Sequence, residues 1–292
     1  MRTEPSQTIQ ESAEDRFGAI WRTPRKVGFY TIVVILLVGI NVAFWRVHLF
    51  PFLAWLPDDF LNDFYASGQD FEGAFAPHKV HFLAIAANHW AMMIGLILQF
   101  RDPINKVAPI WQATGVILLS AATWPFNDVS RIPPPVFAVL VLAVVAGLLH
   151  PAGIFRRRPY VGNKTMTALW GVAAIPVLIL LTSQMRLQMT GMQADPHWQG
   201  LHYNFMAEYA LVLILVLGLG ASSLPGWRYS VWTGGLLLAL LGTGFLVYPD
   251  QTSSQGVFWG LVMIGFSAAW ILLGERRRAT GPSSDREPVA SP

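Results

Sequence analysis

The chain has 292 residues, 53% of them hydrophobic and only 13% charged, with a mean hydropathy of +0.44, which is more apolar surface than one water-soluble core can hide. It has no cysteine, so disulfides, thiolate metal centres, iron–sulfur clusters and thiol catalysis are excluded. The net charge of +3 and the pI of 9.3 arise from short basic clusters beside apolar runs, a topology signal that argues against a nucleic-acid partner.

Residues 1–27 are polar and of mixed charge and read as a cytoplasmic, disordered tail. The apolar run that follows is too long for a signal-peptide core and has no small-residue cleavage site, so it reads as a retained first span. Further apolar runs give spans at about 80–100, 106–124, 133–150, 166–185, 203–222, 229–248 and 255–273, after a first at about 28–48. The expected fold is all-α: a polytopic transmembrane bundle of about eight spans over 28–273, followed by a second polar tail at 274–292.

Charge supplies an independent check, because Lys and Arg gather on the cytoplasmic side. With the N-terminus inside, the inner segments hold Arg2, Arg16, Arg22, Arg25 and Lys26, then Arg101 and Lys106, then Arg156, Arg157, Arg158 and Lys164, then Arg228, and finally Arg276, Arg277, Arg278 and Arg286. Only Arg46, Lys79, Arg131 and Arg186 are left outside, while acids such as Asp58, Asp59, Asp128, Asp195 and Asp250 collect there. An even number of spans with both termini cytoplasmic follows. The preference for arginine and the short loops resemble bacterial membrane proteins, which implies a plasma-membrane location.

The outer loop at 51–77 is long and aromatic. Asp58 and Asp59 after Pro57 open a segment whose Phe60, Leu61, Phe64 and Tyr65 share one helical face, suited to the headgroup layer or to capping a pocket. Gly and Pro inside spans, such as Gly171, Pro176, Gly234 and Gly242, read as packing positions. There is no internal repeat, P-loop, nucleotide fingerprint or nucleophile elbow.

Polar side chains are costly in lipid, and here they converge. His48, His78, His81, His89, His197 and His202 all fall on the outer half, with only His150 at an inner end. On one helix His78, His81 and His89 lie within about an 80° arc, with His89 roughly 12 Å deeper than His81, so they line one wall without meeting at one ion. Asp195 and Pro196 signal a helix start, and Glu208 follows His197 by eleven residues, as His89 follows His78. Contact between the second and sixth spans would set His89 and Glu208 at matching depth, with Asn88 and Tyr209 completing a deep site and His78, His81, His197, His202, His48 and Asp195 forming an outer mouth.

Four readings follow. Imidazoles with a carboxylate suit a copper or zinc site open to the outer face, and Met185, Met189 and Met192 at helical spacing would add soft ligands for copper. A buried His89/Glu208 pair suits a proton relay in a transporter that takes a small ion or molecule from outside. Length and span count are similar to those of the haem A synthase family, and cytochrome b-type bundles hold haem between helical histidines. That resemblance implies histidine pairs from alternating helices, yet the fourth and eighth spans here carry no outer histidine. In the fourth reading the histidines are polar plugs between helices. The residues do not decide whether the protein is an enzyme.

Overall fold

A backbone N–H or C=O has no water to bond in lipid, so an apolar run of spanning length closes its hydrogen bonds within itself as a helix. The computed structural model describes residues 24–43, 45, 50–57, 59, 79–123, 134–153, 162–191 and 202–280, and it obeys this rule throughout: the described residues contain helices and connections and no strand. The helices are α1 (Pro24–Ala43), α2 (Lys79–Ile97, continued by a 3-10 turn at Leu98–Phe100), α3 (Val107–Thr123), α4 (Pro134–Leu149), α5 (Lys164–Thr190), α6 (His202–Ala221), α7 (Trp227–Val247) and α8 (Gly256–Thr280). Six of these, α1, α2, α5, α6, α7 and α8, are long and apolar enough to cross a membrane, while α3 and α4 are shorter apolar helices.

Boundaries depart from the hydropathy pattern where polar side chains find partners. The first helix starts early, with Pro24 in its first turn. Asn163 caps α5 by accepting from Met166 N at 3.0 Å, and α5 runs on to Thr190 because Gln184 and Gln188 turn inward. The last helix continues to Thr280, so residues 274–280 belong to the bundle and not to a tail. Its end is tied down by Arg277, which bonds Gly220 O at 3.4 Å and Ser223 Oγ at 3.2 Å, and by the Glu275–Arg228 pair at 2.7 Å.

Helices α2, α3, α6 and α7 all touch one another and make up the core, with α1 and α4 on one flank and α5 and α8 on others. Burial follows: of the most apolar 18-residue stretch of each helix, 78% is buried in α2 and 72% in α6, against 22% in α5 and 17% in α8. The outer helices turn Val38, Val42, Val172, Ile179, Phe258 and Leu261 outward, while Asn88, His89, Asn204 and Glu208 are buried. Apolar outside and polar inside is the arrangement of a bundle solvated by lipid. Small residues let backbones approach: a Cβ on Gly242 would lie 2.9 Å from Gly260 O on α8, and one on Gly95 of α2 would meet the Pro109 carbonyl of α3.

The basic clusters meet at one end. Arg25 donates to Leu148 O at 3.0 Å, Leu149 O at 3.3 Å and His150 O at 3.2 Å, capping the negative end of α4. Lys106 reaches Tyr229 Oη at 3.0 Å, and Ala108 N bonds Pro225 O in the tight α6–α7 connection, where Gly226 takes φ +84°. At the other end Lys79 donates to Leu56 O at 2.8 Å and Tyr248 Oη bonds Ala54 O, which fastens the helical turn Phe50–Leu53 and the residues after it against α2 and α7. The aromatic run from Phe60 to Tyr65 lies outside the described residues.

Candidate functional site

The histidine end carries the first layer of the site. The second helix begins at Lys79, which puts His81 in its first turn, where backbone N–H groups have no helical partner. The α7–α8 connection supplies one: Gln251 Oε1 accepts from Val80 N at 3.2 Å. Two residues on, Ser253 adopts φ +69°, an uncommon left-handed conformation for a side-chain-bearing residue, and presents its hydroxyl to two groups. It donates to Gln184 Oε1 at 2.7 Å and lies 2.9 Å from His81 Nε2. A serine has one hydrogen, so the Nε2 of His81 carries its own and donates.

His81 also faces its counterpart across the α2–α6 interface. The His81 and His202 rings have centroids 5.1 Å apart at 32°, and Tyr203 meets His81 edge-on at 6.3 Å. The second and sixth helices therefore do touch, and the two histidines form the floor of the outer layer.

Below them the polar contacts step inward. Asn204 N donates to Gln188 Oε1 at 3.3 Å, and Asn204 Nδ2 donates to Thr123 Oγ1 at 3.3 Å. Thr123 Oγ1 donates to Ser120 O at 3.0 Å. One turn deeper, Ser120 Oγ lies 2.5 Å from Glu208 Oε1 and 2.9 Å from Val116 O. The one serine hydrogen serves either acceptor. With Glu208 ionised it goes to the carboxylate; with Glu208 protonated the acid donates to Ser120 Oγ and the serine turns to Val116. Ser120 thus accommodates both charge states without moving a helix.

Glu208 is 6% exposed, and among the described residues no basic side chain sits against it. The amide of Asn88, on α2, faces the carboxyl as a donor too loose to satisfy Nδ2 fully, and its Oδ1 has no partner although the residue is 4% exposed. His89 is buried one position further round α2, about 100° from Asn88, the α2 side chain that faces Glu208.

Other expected site residues lie elsewhere. Tyr209 donates to Leu237 O at 2.8 Å and joins α6 to α7. Met189 is 65% exposed on α5 and Met185 half-buried, because the inward face of that helix belongs to Gln184 and Gln188. His150 is structural: Ala152 N donates to its Nδ1 at 3.2 Å, leaving Nε2–H to donate to Gln99 Oε1 at 3.2 Å. His48, His78, Asp195, His197 and Met192 lie outside the described residues.

Sequence reasoning missed Ser120, Thr123, Gln184, Gln188 and Ser253. The glutamines gave a usable signal, recurring at i and i+4 in an apolar helix; single serines and threonines in a span give none, because they bond their own backbone cheaply. Among the described residues no three His, Asp or Glu side chains converge as a metal centre. No family model, curated protein or solved structure matches the chain.

Proposed function

We propose that the protein is a proton-coupled carrier of the plasma membrane, with eight spans, both termini cytoplasmic and Glu208 as the group that takes up a proton from the outer face. The observation that carries this reading is a carboxyl buried between three helices beside Ser120, a hydroxyl able to pair with either of its charge states. A structural plug requires only one satisfied state; a loading group requires two of similar energy. The steps from Ser253 and His81 through Asn204 and Thr123 to Ser120 lead polar groups inward from the surface. The orientation draws on the meeting of Arg25, Lys106, Arg228 and Arg277 at one end, as the cytoplasmic bias of basic residues requires.

The test is an imposed pH gradient across proteoliposomes, followed with a trapped pH-sensitive dye and a panel of small ions. Wild-type protein dissipates the gradient in the presence of its cargo, and Glu208→Gln, of nearly equal volume, slows this by at least about tenfold. Equal rates for the two proteins would overturn the reading.

A metal reading has one observation of its own: His81 and His202 lie side by side, and His78 and His197 are near them in sequence. Copper or zinc at this mouth would be lost on His81→Ala and His202→Ala, as judged by elemental analysis of purified protein. Unchanged metal content in both variants would remove it.

A further inference from the structure

The deep site has chemistry beyond a proton. Around Glu208 the side chains brought together from α2, α3 and α6 are a carboxyl, a hydroxyl and a carboxamide, Glu208, Ser120 and Asn88. Oxygen donors of this kind suit hard cations, as thiolates and imidazoles suit softer metals. Asn88 is the informative member. A buried amide oxygen with no partner costs free energy, and this one belongs to a side chain whose Nδ2 faces a carboxyl that itself has no described basic neighbour. One turn nearer the histidine end, Asn204 donates to Thr123 while its Oδ1, in a residue 1% exposed, has no partner. Two orphan amide oxygens therefore lie at and just above the carboxyl.

We infer that Asn88, Ser120 and Glu208 form a binding site for one desolvated monovalent cation of the sodium class, with Asn204 on its approach. The charge count sets the valence: one carboxylate neutralises one positive charge, whereas a divalent ion would leave an uncompensated charge in a low-dielectric core. Ser120 Oγ and Glu208 Oε1 are in hydrogen-bond contact, so the ion takes the place of that bond as the oxygens part to admit it, and a small ion needs less parting than potassium. Protein oxygens replace the hydration shell, as carbonyl rings do in ion filters. The inference rests on Glu208 as the loading point and names the coupling ion that the same point would take.

The experiment is thermal unfolding of the detergent-purified full chain, read by its own tryptophan fluorescence, in sodium, potassium and choline chloride at equal ionic strength. Sodium raises the midpoint of wild-type protein and the other two salts do not. Asn88→Ala and Ser120→Ala each raise the sodium concentration for half the shift by about tenfold, the effect of losing one ligand to a charged group, and Glu208→Gln removes the shift. Unfolding in choline chloride shows whether each variant folds. No sodium-specific shift in wild-type protein, or wild-type sodium response in both Asn88→Ala and Ser120→Ala, overturns the inference. Glu208-dependent pH-driven flux that is indifferent to sodium would leave the carrier reading standing while removing this one; a sodium shift without flux would do the reverse.

Discussion

Buried polar residues in this protein fall into two kinds, and His150 shows the first. It is 0% exposed, both ring nitrogens are bonded, and its ring meets Phe29 edge-on at 5.1 Å. His150→Ala would orphan Gln99 Oε1 and Ala152 N and open a gap, at a cost of about 2–4 kcal/mol in unfolding free energy, measurable by denaturant titration in detergent. Glu208 and Asn88 are the second kind, a carboxyl with two workable pairings and an amide whose oxygen has no partner. The expected outcome for Glu208→Gln is the opposite of that for His150→Ala: slowed flux with an unfolding midpoint close to that of wild type in the absence of sodium. The same contrast separates what was legible in advance. A glutamate inside an apolar run stands out by itself, whereas the unsatisfied state of Asn88 depends on what α3 and α6 place opposite it.

Between elements, close approach decides which polar groups meet. The second and third helices pack at Gly95, where a Cβ would run into the Pro109 carbonyl and also lie 2.9 Å from Ala113 Cβ. Gly95→Ala should push the two helices apart and cost about 1–3 kcal/mol, seen as a lower unfolding midpoint. Because Asn88 on α2 and Ser120 on α3 both reach Glu208, the same substitution should also weaken the sodium response, although Gly95 touches none of these residues. A wild-type midpoint would show that the helices have slack to absorb the methyl group. Two helix starts have a local chemical cause: Asn163 caps α5 and Pro24 opens α1. Hydropathy placed the end of α5 short of Thr190 because it counts Gln184 and Gln188 as surface residues, when their carboxamides are buried against the core.

Across the whole molecule the expectation is an up-and-down bundle with its basic end in the cytoplasm, and the absence of native cysteine makes it directly testable. Gln255→Cys, in the exposed connection before α8, should react with a membrane-impermeant maleimide on intact cells. Ile104→Cys, between α2 and α3 at a position 50% exposed, should react only after permeabilisation. The reverse pattern would invert the orientation, and labelling of both from one side would mean an even number of crossings between them, overturning the eight-span reading, which puts α3 to α7 there.

The amino-acid sequence by itself determined the membrane class, the helical content and the approximate place of each apolar helix, because in lipid hydropathy and backbone hydrogen bonding leave a chain little choice. It also marked His81, His202, Asn88 and Glu208 as costly residues in such surroundings. What only the tertiary structure decided is who meets whom. The second helix turns Asn88 toward Glu208, α3 brings in a serine that no pattern marks, and the α7–α8 connection folds back to set Ser253 on His81. The reason is geometric: a helix fixes the relative direction of its own side chains at 100° per residue, but the rotation of one helix against its neighbours is set by packing summed over every contact in the bundle.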